Sequence, residues 1–111
     1  MSAWEEGLET AEPWESPHTE AWGLRVPSAR GDKLMLRALR ASGGGAVTVD
    51  DRDMRVEGRR VASADGVAVS IEGGATLAAA ARLREQGDLA AGETVVLFNT
   101  GNLGNYGWYT G

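Results

Sequence analysis

Between residues 28 and 98 the spacing of apolar positions changes period repeatedly, and each change predicts an element. After Pro27, Leu34, Met35, Ala38 and Leu39 share one broad face of a helix that Asp32 caps and that runs to about Ala41. Ser42-Gly43-Gly44-Gly45 stops it, because glycine takes the left-handed conformation that ends helices. Ala46-Val47-Thr48-Val49 follows as a short strand, with Val47 and Val49 on one side. Asp50 or Asp51 caps a second helix whose face carries Met54, Gly58, Val61 and Ala62. Gly58 weakens that helix by about 1 kcal/mol relative to alanine. Val67, Val69 and Ile71 alternate in a second strand, and Glu72-Gly73-Gly74 opens a third helix that Gly87 ends. Val95-Val96-Leu97-Phe98 is a third strand, continuously apolar as parallel strands covered on both faces are.

This alternation predicts an α/β fold, a partial parallel sheet of about three strands with crossover helices. The predicted organisation is an acidic lead segment and loop over 1–27, an α/β core over 28–100 and a Gly/Asn/aromatic tail over 101–111. The lead segment carries Trp4, Leu8, Trp14 and Trp22 without clear periodicity. Three strands make a poor domain alone, since their edges stay unpaired. With an interrupted second helix and few bulky residues, burial barely offsets an ordering cost of about 1–2 kcal/mol per residue. Weak thermal unfolding of the monomer is therefore expected.

Composition narrows the function classes. The chain has 111 residues, no cysteine and a net charge of −5. Disulfides, thiol catalysis and cysteine-ligated metal are excluded. The acidic balance argues against nucleic acid and anionic membranes as partners. The longest aliphatic run, Leu77 to Ala81, is far short of the roughly 20 residues of a membrane span. No signal peptide precedes the acidic N-terminus, so the cytoplasm is the expected location. Charge is uneven: six glutamates lie in residues 1–24, whereas Arg25, Arg30, Lys33, Arg37 and Arg40 face Asp32 alone in 25–40.

Few residues offer chemistry. Gly43-Gly44-Gly45 follows a helix, the wrong direction for a phosphate cup, which forms where a strand enters a helix. Glu72-Gly73-Gly74 has the right direction, but a carboxylate there repels a phosphate. Together with Phe98-Asn99-Thr100-Gly101 it reads as the edge of a ligand cleft beyond parallel strands. His18 reads as a solvated histidine, and Lys33, the only lysine, as a solvated helix residue. No nucleophile with a base beside it and no metal-ligand spacing is present, so no catalytic residue and no metal site is assigned.

Three blocks nevertheless carry a resemblance. Glu12 to Arg40 (EPWESPHTEAWGLRVPSARGDKLMLRALR), Gly66 to Leu77 (GVAVSIEGGATL) and Gly92 to Gly101 (GETVVLFNTG) occur in order and without gaps. They are similar to the C-terminal part of the threonine synthase group of fold type II pyridoxal-phosphate enzymes. The resemblance implies pyridoxal 5'-phosphate as the parent cofactor, lyase chemistry in amino-acid biosynthesis, and O-phosphohomoserine as the parent substrate. It implies that the cofactor-holding lysine and the glycine-rich phosphate loop lie upstream of these blocks, so that Lys33 inherits neither role. It implies that Thr100 faces the pyridine nitrogen of the cofactor, with Glu72 and Gly73 on the cleft floor. On this reading the chain is a piece of such an enzyme, inactive alone, whose missing N-terminal two-thirds come from a companion chain or are a lost part of its own gene. The alternative is a non-catalytic α/β remnant acting only through protein–protein association, self-association included. Departures from the family pattern fall at Glu20, Trp22, Arg55, Gly58, Ile71 and after Gly101, on packing and cleft positions together.

Overall fold

The computed structural model describes residues 2–102 and 104, and its regular elements are helical. A four-residue helix, α1 (Ser2–Glu5), precedes a 3-10 turn at Trp22–Leu24, and three longer helices follow: α2 (Asp32–Ser42), α3 (Asp51–Asp65) and α4 (Ile71–Gln86). The chain divides into two compact units, Met1–Thr48 and Val49–Gly111.

In the first unit, α2 lies where its apolar spacing places it and ends on Gly43, whose φ of 66° is left-handed. Its N-cap is Gly31 rather than Asp32. The Asp32 carboxylate instead accepts from the Lys33 N–H at 2.6 Å and from the Ala11 N–H at 2.7 Å. The acidic lead is thus tied to α2. The Arg40 guanidinium donates to the Leu8 carbonyl and sits 5.9 Å from the centre of the Trp4 ring. Trp14 N–H bonds Pro27 O at 2.7 Å, and Ala3, Ala21 and Leu36 are buried.

In the second unit, α3 packs along α4. Asp50 is the N-cap of α3, in extended conformation, as the aspartate pair predicts. Gly66 and Gly87, both at positive φ, end the two helices. A methyl group at Gly74 would overlap the Met54 carbonyl, so the missing side chain is what lets the two backbones approach. Gly58 is buried one turn from Met54 on the same face. Its intrinsic cost does not interrupt α3.

The expected parallel sheet is not formed among the described residues, which contain no strand. Residues 46–49 and 95–98 have no regular structure, and the 67–71 stretch enters α4 at Ile71. An isolated antiparallel bridge, Val69 with Asn102, is the pairing found, opposite in sense to the one expected. The cause is local. Ser70 takes the N-cap position that the sequence reading gave to the Glu72 turn, so its hydroxyl accepts from Gly73 N–H and draws Ile71 into the helix. Alternating valines form a strand only when a neighbouring backbone takes up their N–H and C=O groups. Val96 and Phe98 are instead 85% and 79% exposed. Of the expected 101–111 tail, only Gly101, Asn102 and Gly104 fall within the described residues.

Candidate functional site

The site is built on the start of α4. Ser70 is 1% exposed, and its hydroxyl works in both directions. It accepts from Gly73 N–H at 3.1 Å and donates to the Asn99 Oδ1 at 3.4 Å. The Ser70 N–H donates to Gly101 O at 3.3 Å, and the Asn99 amide donates to the same carbonyl at 2.7 Å. Val69 bridges Asn102. The chain on both sides of Thr100 is therefore fastened to residues 69–73, and Thr100 itself is exposed.

The three residues singled out in the sequence have different surroundings. Glu72 is half-buried in the first turn of α4. Gly73 is buried, and the Asn99 amide and the Val69 side chain fill the space its Cβ would take. Thr100 is exposed, on the adjoining segment without regular structure. Of this constellation, Ser70 was missed, and the Asn99 amide was placed at the cleft edge without its partner. Ser70 was detectable, since serine three residues before a helical N–H is a strong N-cap signal. Nothing local in the sequence marks the role of Asn99, which depends on a partner 29 positions away.

His18 is exposed, and the Lys33 ammonium pairs with Glu9 at 3.8 Å, both partners largely in solvent. An open groove of about 370 Å³ between α3 and α4 contains none of Glu72, Gly73 or Thr100. It is lined by Asp50, Asp53, Glu57 and Glu85 against Arg82, a field that repels an anion. Among the described residues, no cluster of histidine and carboxylate groups is arranged to hold a metal ion, and no helix is long and apolar enough to cross a membrane.

Residues 2–101 match the family model of pyridoxal-phosphate dependent enzymes, and the chain belongs to that family. Within it, the chain is 30% identical over 103 residues to the threonine synthase of Methanosarcina acetivorans, a match that covers 93% of this chain. The chain spans 25% of the length of that relative. No solved structure matches it.

A surface hydroxyl, Thr100, suits a ring nitrogen. The first turn of α4 does not suit the phosphate, because the Gly73 and Gly74 N–H groups already bond Ser70 and Asn99 fills the space over Gly73. The single lysine lies in the other unit, paired with a glutamate.

Proposed function

We propose that this chain supplies the ring-nitrogen contact of a threonine synthase-like, pyridoxal-phosphate dependent lyase of amino-acid biosynthesis in the cytoplasm. The observation that carries the reading is the exposed Thr100 on a turn fastened at both sides to the start of α4. When bound, the cofactor supplies an electron sink for chemistry beside a substrate amino group. Thr100 donates or accepts one hydrogen bond at the ring nitrogen without forcing its protonation, as a carboxylate would. Glu72 and Gly73 border that contact. The phosphate and the covalent attachment require residues outside residues 1–111, and residues 1–111 alone do not convert O-phosphohomoserine to threonine.

The test uses pyridoxine 5'-phosphate, which keeps the ring nitrogen but lacks the aldehyde and so cannot react with Lys33. Nuclear magnetic resonance of the labelled full chain is expected to show weak saturable shifts at residues 72–73 and 99–101. Thr100→Ala should remove the response of the ring nitrogen. A response centred on α2, or one unaffected by Thr100→Ala, would overturn the reading. Turnover of O-phosphohomoserine by purified residues 1–111, abolished by Thr100→Ala, would overturn the requirement for residues outside them.

A further inference from the structure

Asn99 has no role in the contact just described, yet it makes more of the local geometry than any neighbour of Thr100. Its side chain lies in the space left by Gly73, accepts from the Ser70 hydroxyl and donates to Gly101 O. Gly101 O in turn accepts from the Ser70 N–H. One amide group therefore ties both flanks of Thr100 to one helix start. Gly73 is the complement of this latch, since any side chain there would occupy the volume of the amide.

We infer that Asn99 is a positioning residue: with Ser70 and Gly73 it forms a latch that fixes the Thr100 turn so that its hydroxyl meets a pyridine-type ring nitrogen. This rests on the functional reading above and adds the device that makes the contact specific. A hydroxyl on a loose surface loop loses ordering entropy each time it binds, and a pre-set one does not. The latch is made before any ligand arrives. It acts through Thr100 and touches no reacting atom.

The experiment compares the labelled full chain with Asn99→Ala, Gly73→Ala and the double variant. The first readout is backbone order at Thr100, from amide relaxation. Wild type should be ordered there, and either single variant should loosen it, because one removes the amide and the other expels it. The double variant should be no looser than Asn99→Ala, since the methyl group introduced by Gly73→Ala enters the space the amide has left. Helical circular dichroism checks that α3 and α4 persist, and Asn99→Ala, at the surface, carries the test if Gly73→Ala does not fold.

The second readout is the ring nitrogen of labelled pyridoxine 5'-phosphate, whose apparent affinity should fall about fivefold in Asn99→Ala, the usual cost of ordering one loosened side chain on binding. Unchanged order at Thr100 in Asn99→Ala would overturn the latch. Altered order with an unchanged ring-nitrogen response would overturn the positioning role. A ring-nitrogen response that ignores Thr100→Ala would defeat the functional reading and the positioning role together, with the Thr100 order still reporting separately on the latch.

Discussion

The helices α2 and α4 end in the same way, on a glycine at positive φ, yet they are held by different forces. Helix α2 buries only Leu36, exposes Leu34 and Met35, and is tied to the acidic lead by polar contacts near the surface: Asp32 with the Ala11 N–H, Arg40 with Leu8 and Trp4, and Lys33 with Glu9. Helix α4 buries Ile71, Gly73, Gly74 and Ala78, and approaches α3 closely enough that no side chain fits at Gly74. Surface contacts of the first kind contribute little each, and solvent competes for them. Close packing of the second kind tolerates no added atom. The difference teaches where a precise site can be built. The Thr100 turn is fastened to the helix whose position is fixed by packing.

The comparison breaks most sharply at Gly74. Gly74→Ala should destabilise the chain by about 1–3 kcal/mol, the usual cost of overpacking, read as a shift of the denaturation midpoint. Gly45→Ala, where no atom lies within 4 Å, should shift it little in either direction. Ser70→Ala comes next, at about 1 kcal/mol, with loss of helical signal and faster exchange of the Gly73 N–H, which loses its acceptor. In the other unit, Arg40→Ala should cost about 0.5–1 kcal/mol and alter Trp4 fluorescence. Lys33→Met should be the smallest effect, within error at moderate salt, since both partners of its ion pair are largely exposed. A larger loss from Arg40→Ala than from Gly74→Ala would reverse the assignment of forces.

What the sequence made legible follows the same division between local and long-range. The extents of the helices were legible because their signals are local, Asp50 ahead of α3 and Gly43 and Gly87 as stops, but the face of α2 was not: Leu34 and Met35 are exposed, and Leu36, off the predicted face, is the residue it buries. The sheet was misread because alternation at Val67, Val69 and Ile71 records only a tendency, which a strand partner must complete and which the Ser70 cap cut short. The three sequence blocks led to the family, and the match over 2–101 bears that out. The Thr100 turn stood out as following an apolar run, but its fastening did not. It depends on Asn99 filling a void at Gly73, which only the fold brings together.

The most direct measurement is amide hydrogen exchange of the full chain, residue by residue. The account predicts slow exchange at the Ser70, Gly73 and Gly74 N–H groups, which bond Gly101 O, Ser70 Oγ and Ser70 O, and fast exchange through residues 95–98, with Ser70 losing its protection in Asn99→Ala. Protection running through 95–98, with Ser70 N–H exchanging freely, would mean that a sheet and not the helix start holds the Thr100 turn, and would contradict the account.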